Sequence, residues 1–202
     1  MSFPDFSVDD AKTQWKRLCD LLWFHDGLGV WLDVSRMRVN AADFERLEPG
    51  FKSAFEAMHQ LEAGAIANPD EQRQVGHYWL RAPELAPGET VGHHVATEIG
   101  QIEQFGKDVL SGAIKAPCGK PFTDVLWIGI GGSGLGPMLM VRALKRPNAG
   151  LPFHFFDNVD PDGMSTVLAG LGDRLKTTLV VTVSKSGGTP EPHIGMEQAR
   201  LR

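Results

Sequence analysis

Two short stretches hold the residue types that chemistry needs. Ser184-Lys-Ser-Gly-Gly-Thr-Pro-Glu191 brings together the hydroxyls of Ser184, Ser186 and Thr189, the ammonium of Lys185, and backbone amides freed by Gly187 and Gly188. Hydroxyls and amides donate hydrogen bonds, the cation balances charge, and glycine removes the steric block to close approach. A phosphate dianion takes such a set. The other stretch is Ile128-Gly-Ile-Gly-Gly-Ser-Gly-Leu-Gly-Pro137, where the loop glycines let backbone amides point at a ligand and the start of a helix adds a partial positive charge. Taken alone it is ambiguous. Gly129, Gly131 and Gly134 satisfy G-x-G-x-x-G, and Asp157 closes the next apolar run, as a ribose partner would in a dinucleotide-binding unit. It also reads as a plain strand-to-helix turn. The Ser184–Thr189 loop weighs against the dinucleotide, which needs no such loop after a third strand. Two Gly/Ser loops at the carboxyl ends of parallel strands point instead to one phosphoryl group held between them.

Positioning these loops requires strands and helices in alternation. Val125–Ile130, Phe153–Phe156 and Thr178–Val183 are short apolar runs and predict buried strands. Leu135–Lys145, Pro161–Leu171 and Pro190 onward predict the helices between and after them, with Asp160 as a cap. Pro137 is expected in a first turn, where a missing N–H costs nothing. This is α/β patterning with a parallel sheet and flanking helices. Upstream, Ser7–Phe24 predicts a helix capped by Ser7, with Asp9 and Asp10 in its first turn. A second helical region begins at Asn40 and is expected to break near Pro49-Gly50. Asn68-Pro69-Asp70-Glu71 reads as another helix start, and Glu89 to about Ile114 as a long amphipathic helix. Val30–Val39 is an uncertain stretch of extended character. Residues 1–116 thus read as an almost wholly helical region, and residues 117–202 as the first part of a sheet domain. Three parallel strands leave two open edges, so the chain is expected to be the N-terminal part of something longer.

Composition narrows the classes. The net charge is −5 and Lys and Arg form no basic stripe, which argues against a nucleic-acid partner. No apolar run approaches the roughly 20 residues that span a bilayer. Met1-Ser-Phe-Pro-Asp-Phe6 has neither the basic nor the apolar region of a secretory signal. With only Cys19 and Cys118, no disulfide framework is implied. A cytoplasmic protein is expected by elimination. His93 and His94 are neighbours on a helix and point about 100° apart, so they share no face for chelation, and no metal is expected. No Ser-x-x-Lys pattern makes Lys185 a base, so it is assigned as countercharge.

The two loops together resemble the sugar isomerase (SIS) fold and, within it, the glucose-6-phosphate isomerase family. His77-Tyr-Trp-Leu-Arg81 and the helical upstream region are similar to its bacterial, notably cyanobacterial, branch. The resemblance implies a three-layer sandwich around a parallel sheet, here truncated. It implies reversible isomerisation of glucose 6-phosphate and fructose 6-phosphate in glycolysis and gluconeogenesis, by proton transfer between C2 and C1 through an enediol(ate), without a cofactor. It places the substrate phosphate on Gly132, Ser133, Ser184, Lys185, Ser186 and Thr189. The family's proton-transfer groups are expected C-terminal to residue 202, so no catalytic residue is assigned here, and the 202-residue chain by itself is expected to be inactive. A homodimer is expected for the complete enzyme. Many family members carry bulkier, threonine-rich residues at Ser186-Gly187-Gly188, and the Ser-x-Ser-Gly-x-Thr form also occurs in other SIS proteins. Two alternatives follow: a non-catalytic sugar-phosphate-binding SIS module, and an NAD-dependent oxidoreductase resting on Gly129, Gly131, Gly134 and Asp157.

Overall fold

A computed structural model describes residues 3, 4, 6, 10–146 and 150–201. The chain forms two compact units, Met1–Ala96 and Thr97–Arg202.

In the first unit, helix α1 (Ala11–Leu21) starts where Asp10 accepts from the Thr13 amide at 2.9 Å. The expected cap Ser7 and its neighbour Asp9 lie outside the described residues. The helix stops before Trp23 and Phe24, because Leu22–His25 (β1) pairs antiparallel with Val30–Asp33 (β2). Aromatic and β-branched residues favour that pairing, and Phe24 lies against Trp31 with ring centroids 4.5 Å apart. Helix α2 (Ala41–Glu62) begins at a capping box in which Asn40 and Asp43 each accept from the other's amide. It runs unbroken through Pro49. The Glu45 carbonyl, four residues back and left without its helical donor, belongs to an exposed residue.

The expected helix start at Asn68-Pro69 is a hairpin turn between β3 (Ile66–Asn68) and β4 (Arg73–Gln74), in which Asn68 Oδ1 accepts from the Glu71 amide at 3.0 Å. The upstream region is therefore mostly helical, but two hairpins correct the expectation that it is helical almost throughout. Its polar centre is Arg17, fully buried, whose guanidinium donates to the carbonyls of Pro4, Ser35, Met37 and Val39. The boundary between the units falls inside helix α3 (Glu89–Ser111).

The second unit is built on a parallel sheet. Strand β5 (Asp124–Ile128) lies between β6 (Phe153–Phe156) and β7 (Thr178–Thr182). Side chains alternate between the two faces. Leu126, Ile128 and Phe156 form a core with Met164 and Leu168 of α5 (Pro161–Leu171) and Ala199 of α6 (Pro190–Arg200). Val125, Trp127 and Phe153 point the other way, toward α4 (Gly132–Leu144). On that side Phe105 and Val109 of α3 join them around an open apolar groove of about 610 Å³. The result is helix, sheet and helix in three layers.

Candidate functional site

Ile128, the last residue of β5, pairs with Phe156 on one side and Thr182 on the other. One residue further, the Gly129 amide donates to Phe156 O at 3.0 Å, and the Val183 amide donates to Ile128 O at 2.8 Å. Both Gly/Ser loops therefore leave the sheet at the same level, from neighbouring strands about 4.8 Å apart. They depart to opposite faces, the first into α4 and the second into α6. A crevice opens where chains diverge in this way, at the carboxyl edge of an open α/β sheet.

The first loop is held tightly. A Cβ on Gly134 would run into the backbone carbonyl oxygen of Gly129, so only glycine lets α4 start directly on the strand end. The helix begins at Gly132, three residues before the expected Leu135. Pro137 therefore lies inside the helix and not in its first turn, and the Ser133 carbonyl accepts from the Trp127 indole N–H at 2.8 Å. Gly132 is exposed and Ser133 half-buried, and the Ser133 hydroxyl has no partner among the described residues.

The second loop is knitted by its own hydroxyls. Ser184 Oγ accepts from the Gly187 amide at 3.0 Å and donates to Thr189 Oγ1 at 3.2 Å. Ser186 Oγ accepts from the Gly188 amide at 3.2 Å and lies 3.3 Å from Thr189 Oγ1. With Thr189 donating onward to Ser186, the Ser186 proton is left to face a ligand. Ser184 and Thr189 are half-buried, while Lys185 and Ser186 are exposed. Lys185 makes no ion pair among the described residues.

The starts of the two helices share a further property. Asp10, Asn40 and Asp160 cap α1, α2 and α5 with side-chain oxygens. Neither α4 nor α6 has such a cap, so no side chain neutralises the partial positive charge at their starts; in α4 the Ser133 and Gly134 amides are taken by Ile130 O and Gly131 O, both at 3.1 Å. The structure thus brings Gly132 and Ser133 to one side of the switch between β5 and β7, and Ser184, Lys185, Ser186 and Thr189 to the other.

Asp157 follows β6 on the far side of the first loop, its Cβ 3.5 Å from where a Gly134 Cβ would sit. The dinucleotide alternative fails on strand order. In the dinucleotide-binding order the third strand lies outside the second, whereas here β7 pairs with β5, the first. Sequence reasoning had no access to that order.

The opposite edge of the sheet carries a polar brace that the sequence did not reveal. The buried Asp124 carboxylate sits 2.9 Å from His154 Nε2 of β6 and accepts from Arg174 Nη1 at 2.6 Å and Thr123 Oγ1 at 2.8 Å. Burial alone would raise this carboxyl, but the hydrogen bonds from His154 and Thr123 and the charge of Arg174 outweigh it and hold it below the ordinary aspartate value. Its only sequence signal is a carboxylate opening an otherwise apolar run. Among the described residues no group of three or more His, Cys, Asp or Glu is placed to hold a metal ion. No helix among them is long and apolar enough to cross a membrane.

Comparison with known proteins gives this geometry a family setting. The model of a family described as phosphoglucose isomerase matches residues 33–200. The chain is 74% identical over 202 residues to a glucose-6-phosphate isomerase of Parasynechococcus marenigrum (strain WH8102), covering all of this chain and 37% of that protein. It is 72% identical to that of Synechococcus sp. (strain CC9902) over all of this chain and 38% of the relative. For that of Prochlorococcus marinus (strain MIT 9313) the identity is 70%, over all of this chain and 37% of the relative. The chain thus spans well under half the length of these curated relatives.

Proposed function

The chain belongs to the phosphoglucose isomerase family, and we propose that it carries the phosphate-holding part of an enzyme that interconverts glucose 6-phosphate and fructose 6-phosphate. The observation that supports this most is the pair of loops at the switch between β5 and β7, each opening an uncapped helix. Gly132 and Ser133 hold the dianion from one side, through the Gly132 amide and the Ser133 hydroxyl. Ser184, Lys185, Ser186 and Thr189 hold it from the other. The phosphate is remote from the carbons that react, so its binding energy serves to orient C1 and C2 toward proton-transfer groups. Those groups belong to other parts of the whole protein in this reading, which works in the cytoplasm as a homodimer on a glycolytic and gluconeogenic substrate.

Titration of the 202-residue chain with fructose 6-phosphate, followed by amide NMR, tests the assignment. The amides of Gly132, Ser133, Gly187 and Gly188 are expected to shift together and saturate, while NAD leaves them in place. Shifts with NAD and none with the sugar phosphate would overturn the reading.

A further inference from the structure

Pro137 lies within α4, where the residue at its position would normally donate its amide to the Ser133 carbonyl one turn back. Proline has no N–H, so that carbonyl loses its helical donor, in the very residue whose hydroxyl is assigned to the phosphate. The carbonyl that Pro49 leaves without a donor in α2 belongs to an exposed residue, but Ser133 O is turned inward against the strand end, 2.8 Å from where a Gly129 Cβ would lie. Trp127 fills the gap. It sits on β5 one residue before the strand's last, half-buried on the α4 side, and its indole N–H reaches Ser133 O at 2.8 Å.

We propose that Trp127 is a positioning residue for the phosphate site, its indole N–H replacing the helical donor that Pro137 lacks and so fixing Ser133 and the first turn of α4 to the sheet. The assignment rests on reading the two loops as a phosphate holder. Backbone bonds from Ser133 to Ile130 O and from Gly134 to Gly131 O shape the turn locally, and the indole adds the side-chain link from the strand to the Ser133 carbonyl. It ties the loop's own carbonyl to the strand from which the loop springs. A residue that merely filled the groove would have no relation to Pro137. The indole and the proline form one device, which gives a double-variant test.

The 202-residue chain is compared as wild type, Trp127→Phe, Pro137→Ala and the double variant. Trp127→Phe keeps an aromatic ring but removes the donor, and is expected to weaken fructose 6-phosphate binding about three- to tenfold by calorimetry. Pro137→Ala restores an N–H aimed at Ser133 O, so the double variant is expected to return to within about twofold of wild type, while Pro137→Ala alone changes little. In parallel, melting temperatures of the four forms are expected to show the same rescue, and the Trp127 indole proton of the wild type to exchange slowly. Failure of Pro137→Ala to rescue either readout in the Trp127→Phe background would show that Trp127 acts by packing alone. That result would overturn the inference while leaving the phosphate site standing. Rescue of melting temperature in a chain whose wild type binds no sugar phosphate would overturn the phosphate reading, and with it the use assigned to the bond.

Discussion

Ser186 gives the sharpest test of the loop chemistry. Its oxygen accepts from the Gly188 amide and lies 3.3 Å from the Thr189 hydroxyl, so its proton is the free donor at the end of a short hydroxyl chain. Ser186→Ala removes one hydrogen bond to a charged phosphate oxygen, worth about 1.5–3 kcal/mol, so Kd for fructose 6-phosphate should rise about ten- to a hundredfold. The loop itself should survive, because Ser184 still binds the Gly187 amide at 3.0 Å and Thr189 at 3.2 Å. The stability change is therefore expected within about 0.5 kcal/mol, as for an exposed side chain. Ser186→Glu places a carboxylate against the dianion. Each close like-charge pair costs about 1 kcal/mol in bulk water and about 4 kcal/mol where the effective dielectric falls to roughly 20, so binding should be lost. Asp157→Ala is the control, with Kd unchanged. Calorimetry at fixed ionic strength reads all three. A silent Ser186→Glu beside an Asp157→Ala that abolished binding would refute the reasoning.

Gly134→Ala should be far harsher, since its Cβ meets the Gly129 carbonyl and no flexible side chain can give way; loss of about 1–3 kcal/mol in urea unfolding is expected, together with loss of sugar-phosphate binding. Asp124→Asn, which leaves His154 and Arg174 without their charged partner, should cost about 3 kcal/mol, at the low end for a buried pair because Arg174 is half exposed. Because the folded carboxyl lies below its unfolded value, its stabilisation is present above about pH 4 and is lost as pH falls through the folded value. The variant should therefore show a shallower acid limb in melting temperature against pH. An acid limb unchanged by the substitution would remove the brace from the account. Finally, the 202-residue chain alone should show no turnover in a coupled isomerase assay, since its loops supply binding and no assigned proton-transfer group; a rate near that of an intact family enzyme would count against this.

The parts of the fold legible in the sequence are those fixed by local chemistry. Phe153–Phe156 is a run too short and apolar for anything but a buried strand, and Asp160-Pro161 starts a helix with a cap and a preset φ. Both match the structure residue for residue. Where the sequence misled, a non-local partner decided the outcome. Asn68 accepts the amide three residues on, which is the same bond in a helix cap as in this hairpin turn; what distinguishes them is the pairing of Ile66 with Gln74. Trp23 and Phe24 likewise continue the helical spacing of α1 until β2 claims them as a strand. Pro137 departs from its expected place for a related reason. The bond it removes from the helix interior is replaced by the Trp127 indole, a donor from another element that no helical pattern contains.

Strand order carries the same lesson into function. G-x-G-x-x-G followed by an acidic residue describes a strand, a glycine turn and the end of the next strand, and all of these are present here. The motif says nothing about where the third strand goes. If it lay beyond β6, the loop after it would stand two strands away from the glycine turn, roughly 10 Å, too far to share one phosphate. It lies beside β5 instead, and the Val183 amide bonds to Ile128 O, the last carbonyl before the glycines. That single adjacency sets the Ser184–Thr189 loop and the Gly132-Ser133 turn at the ends of neighbouring strands, and it is on this that the proposal of one shared phosphate rests.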